Sequence, residues 1–131
     1  MAKNRIEWKT KANDPDMILL AAQTLAKTAN LVKEFDFKKS GYNALRVQLG
    51  VDFAAAAAGN IVMTVYPSCD DGVTFDFTPS HTLTMTGVSG VSRTNSVDIS
   101  GIPYFKLKVE NQDAANDHDI VVNAAGRYWE A

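Results

Sequence analysis

The sequence predicts an all-β protein: a single antiparallel β-sandwich, jelly-roll-like, with a polar N-terminal arm. From residue 42 onward, apolar and polar residues alternate with a period of two, which is typical of half-buried strands. Turn-forming residues interrupt this alternation at intervals of about eight to twelve residues, as in sandwiches and barrels. The 131 residues make one ordinary domain, which buries a core without needing disulfides or a metal. We assign residues 1–16 to an N-terminal arm or edge strand and residues 17–131 to the sandwich.

The segment 17–37 fits either a helix or two strands. Its apolar residues recur at helical spacing from Ile18 to Val32, and an aspartate before them could cap a helix. Threonine and asparagine residues within the segment weaken a helix, whereas the valine and phenylalanines near its end favour strands. We predict two short strands, Ile18–Leu25 and Leu31–Phe37.

Further strands follow in close succession. Leu45–Phe53 alternates apolar and polar residues and predicts a half-buried strand, and a second alternating run covers Ile61–Tyr66. The dipeptide Asp71-Gly72 then indicates a hairpin, whose return strand we place at Val73–Phe77. Four more strands are predicted at residues 82–86, 96–100, 105–110 and 120–129.

Composition argues against several classes of protein. Thirteen Lys and Arg residues against fifteen Asp and Glu give a net charge of -2, which is unfavourable for a broad nucleic-acid surface. The longest apolar stretch, Met17–Ala22, is too short to span a bilayer, and the N-terminus has no apolar signal sequence. We therefore expect synthesis in the cytoplasm and no membrane partner. Cys69 is the single cysteine, so neither an internal disulfide nor a thiolate metal cage is expected.

No catalytic, cofactor-binding or metal site is predicted. His81 and His118 both lie in polar, turn-rich sequence, and we interpret them as solvated loop residues; a role beside Cys69 or a serine is the alternative. Glycine-rich phosphate-binding motifs are absent from the sequence. Acidic residues cluster at 70–76 and 113–119, where calcium would find oxygen ligands, but turn formation explains both clusters without an ion. We expect a protein that is not an enzyme.

The N-terminal arm carries the candidate partner-binding residues. Its cationic side chains surround one aromatic ring, a combination suited to an acidic protein surface with the ring as the buried anchor. These candidates are Lys3, Arg5, Trp8, Lys9 and Lys11. Two alternatives stay open: the segment forms an edge strand of its own sandwich, or its charges bind nucleic acid weakly.

One series of motifs resembles a known class of proteins. The series comprises Gly41–Leu49, Gly59–Tyr66, Ser68–Phe75 and Val97–Asn111. It resembles small β-sandwich virion proteins of tailed bacteriophages over about residues 40–125. This resemblance implies a capsid decoration (cement) protein on the surface of the virion, which binds the major capsid protein or another virion protein. It also implies a homo-oligomer, with a trimer favoured, and it supplies no catalytic residues.

The sequence leaves other functions open. Tail and neck components of such particles share similar sandwiches. A small enzyme would need His81 or His118 in a cleft beside an acid or a thiol. A carbohydrate-binding β-sandwich module would need a shallow groove lined by exposed aromatic rings. The candidate rings are Tyr42, Tyr66, Tyr104, Tyr128 and Trp129.

Overall fold

The computed structural model describes residues 5–37, 42 and 44–130, and this part of the chain consists of β-strands and one 3-10 turn at Pro15–Met17. The strands are β1 Arg5–Lys9, β2 Ile18–Leu25, β3 Asn30–Asp36, β4 Ala44–Asp52, β5 Ile61–Pro67, β6 His81–Met85, β7 Ser92–Asp98, β8 Tyr104–Asn111 and β9 His118–Glu130. The predicted all-β class is therefore confirmed. Among the described residues, no helix has the length and apolar character that crossing a bilayer requires.

Two antiparallel sheets form the sandwich. In sheet 1, β1 and β2 lie end to end along one edge of β9, and β4 and β7 follow on its other side. In sheet 2, the order is β3-β8-β5-β6. Most neighbours in a sheet are distant in sequence, because the chain crosses repeatedly from one sheet to the other. This strand order is that of a jelly roll and confirms the predicted sandwich.

The hydrophobic core lies between the two sheets. The alternation of apolar and polar residues along each strand determines which side chains point into it. Along β8, Phe105, Leu107 and Val109 are fully buried, whereas the lysines between them are half-buried on the outer face. The Phe105 ring belongs to an aromatic group in this core, with its centroid 5.5 Å from that of Phe35 and 6.0 Å from that of Phe37. Burying each such side chain contributes about 1.5–3 kcal/mol, so the alternation that marks the strands also supplies most of the driving force.

The segment that was ambiguous between helix and strands forms two strands, as predicted. β2 has the predicted bounds, and β3 begins one residue earlier than predicted and ends one residue earlier. A four-residue turn connects them, in which the amide of Ala29 donates to the carbonyl of Ala26 at 3.0 Å. The β-branched and aromatic residues of β3 thus outweigh the helical spacing of the alanines and leucines.

The return strand predicted at Val73–Phe77 is wrong. Residues 68–80 form a long loop, called here the 68–80 loop, and β5 pairs with β6 instead. The hydroxyl of Ser68 and the carboxylate of Asp70 accept backbone amides of this loop at 2.8 and 2.7 Å. Because these side chains occupy amides that a strand ladder would need, local turn bonding prevails over strand pairing.

Candidate functional site

The predicted partner-binding segment lies on the edge of sheet 1. Residues 5–9 form β1 and pair with residues 126–130 of β9. The indole of Trp8 stays 46% exposed. The guanidinium carbon of Arg127 lies 5.1 Å from the centroid of the Trp8 ring, a cation–π contact across the two strands. This contact fixes the orientation of the ring and leaves much of its surface open to a partner.

The other predicted arm residues do not converge on one cavity. Arg5 is placed by its backbone pairing with Glu130, and Lys9 is half-buried at the end of β1. Lys11 is exposed and borders a shallow groove on the outer face of sheet 1. Lys3 lies outside the described residues. The described arm residues therefore form a strip along the sheet edge.

A different surface combines aromatic and charged side chains: a groove of about 510 Å³ on the outer face of sheet 2, called here the sheet 2 groove. Strands β3, β5 and β8 form its floor, and the 68–80 loop forms one wall. Its lining residues are Asn30, Val32, Tyr66, Phe75, Asp76, Phe77, Lys106 and Lys108. The groove thus unites three aromatic rings with groups of both charges.

One lysine ties the loop to the sheet. The Nζ atom of Lys106 on β8 lies 5.2 Å from the centroid of the Tyr66 ring and 5.0 Å from that of Phe75. Tyr66 belongs to β5, whereas Phe75 belongs to the loop. Because a cation is attracted to both ring faces, this arrangement holds the loop wall against the floor of the groove.

A tyrosine and a glycine anchor the loop at its other side. Gly72 adopts a φ of +88°, a conformation that favours glycine, and a Cβ atom there would overlap the ring of Tyr104. The amide of Ser68 donates to the carbonyl of Tyr104 at 2.9 Å. The rings of Phe75 and Tyr104 lie 6.1 Å apart between centroids. The loop is therefore held in one conformation by backbone and side-chain contacts together.

The anchored loop presents unusually exposed apolar side chains. Phe77 is 99% exposed and Val73 is 84% exposed, the two largest values among the described large apolar residues. We call this pair the apolar crest. Both side chains are therefore open to contact by a partner. The sequence predicts a strand at Val73–Phe77 and therefore does not indicate the crest; Ser68 and Asp70, whose side chains bind loop amides, are the residues that signal a loop.

Three of the edge strands, β2, β3 and β7, carry features that oppose strand addition. Lys33 on edge strand β3 stands opposite the buried Leu107, and Arg93 on edge strand β7 stands opposite the buried Val51. Both positions thus place a charge on the inward side of an edge, which discourages a further strand. Strand β2 carries two register shifts where it pairs with β9. Contact with a partner is therefore better served by faces and loops than by these edges.

The expectation that His118 is a solvated loop residue is wrong. Its side chain is fully buried, and its Nδ1 atom accepts a hydrogen bond from the amide of Ala54 at 3.0 Å. The proton of the neutral ring therefore lies on Nε2, which donates to the carboxylate of Asp113 at 2.9 Å. Because this pair is enclosed, it cannot contact a substrate, and its role is structural. His81 is not a loop residue either: it begins β6, is half-buried, and its Nδ1 atom lies 2.8 Å from the hydroxyl of Ser80.

Asp113 joins three connections at the end of the sandwich opposite the 68–80 loop. Its carboxylate accepts the amide of Ala58 at 2.9 Å and that of Ala115 at 2.9 Å. The carboxamide of Asn111 donates to the carbonyls of Leu25 and Asn116, each at 3.1 Å. These bonds link the β2–β3, β4–β5 and β8–β9 connections. We call Asn111, Asp113, Asn116 and His118 the Asp113 cluster.

Several carboxylates of the two acidic clusters considered for calcium accept hydrogen bonds within the protein. Asp70 binds the 68–80 loop, as described above, and Asp113 is surrounded by its own donors. The Asp117 carboxylate accepts from the amide of Lys27 at 2.9 Å. Across the described residues, no three His, Cys, Asp or Glu side chains come together as potential metal ligands. Hydrogen bonds within turns and loops therefore account for Asp70, Asp113 and Asp117.

Stability is expected to fall in acid because of the Asp113 cluster. The hydrogen bond from the Ala58 amide, followed by that from Ala115, lowers the pKa of Asp113 well below its usual range. An unfolded aspartate has a pKa of about 3.9, so the stabilisation is present above that pH and is lost as the pH falls toward the folded value. Chemical denaturation at about pH 6 and about pH 3 measures the loss.

The matched variants for this pH dependence are Asp113→Asn and Asp76→Asn. The first removes the titrating group and is expected to flatten the acid dependence of the unfolding free energy. The second removes a carboxylate that makes no hydrogen bond to any described residue, and it should leave the unfolding free energy at about pH 6 unchanged. An unchanged slope in the Asp113 variant would contradict the assignment.

Comparison with known proteins adds information on the fold. No family model and no curated protein sequence matches this chain. One similar solved structure is that of Bacillus endospore appendages, described as disulfide-linked pili; it is 11% identical, has a TM-score of 0.51, and the match covers 99% of this chain and 93% of that chain. Another is TmCBM61 in complex with β-1,4-galactotriose; it is 14% identical, has a TM-score of 0.46, and the match covers 97% of this chain and 88% of that chain. At such identities the likeness concerns the β-sandwich fold alone.

Proposed function

We propose that this protein is a non-catalytic structural subunit of a multi-copy particle, specifically a capsid decoration (cement) protein of a tailed bacteriophage. In this role it binds the major capsid protein lattice, or another virion protein, and stabilises the head. The observation that carries the proposal is the apolar crest, Val73 and Phe77, on an anchored loop. The motif series quoted above supports the choice of particle.

The crest has the properties of a contact that works in many copies. Because the 68–80 loop is already held by Tyr104, Gly72 and Lys106, docking orders few additional groups and costs little conformational entropy. A large apolar side chain inserted into a partner pocket supplies much of the energy of a small interface. Repetition on a lattice, or among linked copies, then strengthens a modest contact through effective concentration.

The N-terminal arm supplies a second contact in this proposal. Trp8 and Lys11 lie on sheet 1, whereas the crest lies beside sheet 2, so the two surfaces can bind different partners. We assign the crest to the lattice and the arm to a neighbouring copy, in a homo-oligomer for which a trimer is favoured. Light scattering on the purified protein measures the mass, and substitution of Trp8 by serine is expected to reduce the assembly to single chains.

Particle association is the direct test. Particles purified from the strain that encodes the chain should contain it in many copies relative to the major capsid protein, as quantified by mass spectrometry. The double variant Val73→Ser/Phe77→Ser should fold normally, because both side chains are exposed, yet bind particles roughly tenfold less or weaker still. Cryo-electron microscopy of the same particles distinguishes a position on the head from one on the tail or neck.

The matched control is Val91→Ser. Val91 is also an exposed apolar residue, at 39%, but it lies in the β6–β7 connection at the opposite end of the sandwich. This variant should bind particles like the unmodified protein. Absence of the protein from purified particles would overturn the proposal, and full occupancy by the crest variant would overturn the role of the crest.

A further inference from the structure

We propose that the sheet 2 groove is a carbohydrate-binding site that takes a short, neutral oligosaccharide against the rings of Tyr66, Phe75 and Phe77. This proposal does not rest on the particle role, but Phe77 belongs to both surfaces, so a saccharide and the lattice would compete for that ring. The volume of about 510 Å³ lies in the range of small-molecule sites. The groove has a rigid floor, since its strands β3, β8 and β5 are neighbours in one sheet.

The floor favours a ligand that is recognised through side chains. The backbone groups of β8 are engaged in ladders with β3 on one side and with β5 on the other. They are therefore closed to a peptide that would bind as an added strand. A ligand in the groove meets the outward side chains of these strands and the wall formed by Phe75, Asp76 and Phe77.

The lining matches the two kinds of surface that a sugar presents. Aromatic rings offer flat apolar faces with negative potential, which suit the C–H groups of a pyranose ring. The ring of Phe77 is 99% exposed, so its faces are open to a ligand. Lys106 donates hydrogen bonds and Asp76 accepts them, so the hydroxyl groups of a sugar find both kinds of partner.

Two of the polar groups are available without any rearrangement. The carboxamide of Asn30 and the carboxylate of Asp76 make no hydrogen bond to any described residue, although both line the groove. Lys108, in contrast, is paired with Glu110 at 3.5 Å. The free carboxylate offsets the charge of Lys106, which stands opposite Glu34 on β3. This balance of charge is the reason for expecting a neutral saccharide.

Titration of the full-length chain by ¹⁵N–¹H NMR tests the inference. The probes are soluble gluco-, galacto- and manno-oligosaccharides, each added to roughly 5 mM, which detects binding at the millimolar level. At least one series is expected to shift amide signals of β3, β5, β8 and residues 75–77. No shift with any probe, or shifts confined to sheet 1, would overturn the inference.

Matched variants separate this site from the particle contact. The double variant Asn30→Ala/Asp76→Ala removes free polar groups and is expected to weaken binding roughly tenfold or more. Thr84→Ala, an exposed change on the same sheet but outside the groove, should have no effect. Val73→Ser lies outside the groove lining and should impair particle binding while sparing the saccharide. Unchanged affinity in the double variant would overturn the assignment of the groove.

Discussion

Replacing Phe105 with alanine is expected to destabilise the protein by about 4 kcal/mol, a large share of the roughly 5–15 kcal/mol by which an ordinary protein is stable. The ring is 0% exposed and stands between the two sheets, with the rings of Phe35 and Phe37 beside it. Its removal loses the transfer free energy of the ring and leaves a cavity that the surrounding strands cannot close. Denaturant unfolding followed by tryptophan fluorescence measures the change.

Phe77→Ala is the control for this prediction. It deletes the same group from a position that is 99% exposed, so the unfolding free energy should change by no more than about 0.5 kcal/mol. Equal effects of the two substitutions would contradict the assignment of Phe105 to the core. The comparison also checks that the crest can be altered without unfolding the protein, which the particle experiment requires.

Replacing Asn111 with alanine is expected to cost about 3 kcal/mol, because its carboxamide serves several backbone carbonyls that would be left unpaired in the interior. The side chain is 1% exposed and donates to Leu25, Ala26 and Asn116 at 3.1, 3.3 and 3.1 Å. Loss of these bonds should release the β2–β3 connection from the β8–β9 connection. Hydrogen exchange of the amides in both connections would show the release directly.

Two further substitutions test the same cluster. Asn111→Asp keeps the shape but replaces the donor with a buried carboxylate close to Asp113, so it should be at least as damaging as alanine. Asn30→Ala removes an exposed carboxamide without a hydrogen bond to any described residue and should be neutral. If the aspartate variant were as stable as the unmodified protein, donation by Asn111 would have no structural importance.

Most of the strands were predictable because each depends on residues close together in sequence. In β4 and β8 the alternation of apolar and polar residues matches the alternation of buried and exposed positions almost residue by residue. The bounds of β2 were also predicted. The 68–80 loop was not predicted, because the apolar and polar residues of Val73–Phe77 alternate as they do in a strand. The hydrogen bonds that prevent a strand there come from the side chains of Ser68 and Asp70.

Neither the sheet 2 groove nor the burial of His118 could be predicted from residues that are neighbours in the sequence. Tyr66 was an aromatic candidate and does line the groove, but Tyr104 instead supports the loop, and Tyr42 donates its hydroxyl to Asp14 at 2.6 Å. For the other two aromatic candidates, Tyr128 and Trp129 near the end of β9, the structure describes only the backbone. His118 sits among polar residues in the sequence, yet its partner Ala54 is 64 residues away. Such contacts exist only after the sheets have packed.

The amino-acid sequence by itself determined the all-β class, the positions of most strands and the division of each strand into a buried and an exposed face. These features follow from side-chain alternation, a property of neighbouring residues. The tertiary structure alone decided that Phe77 stands in solvent, that His118 is enclosed, and that rings from β5 and the 68–80 loop meet around Lys106. Each of these outcomes depends on segments far apart in the chain, which only the crossing of the jelly roll brings together.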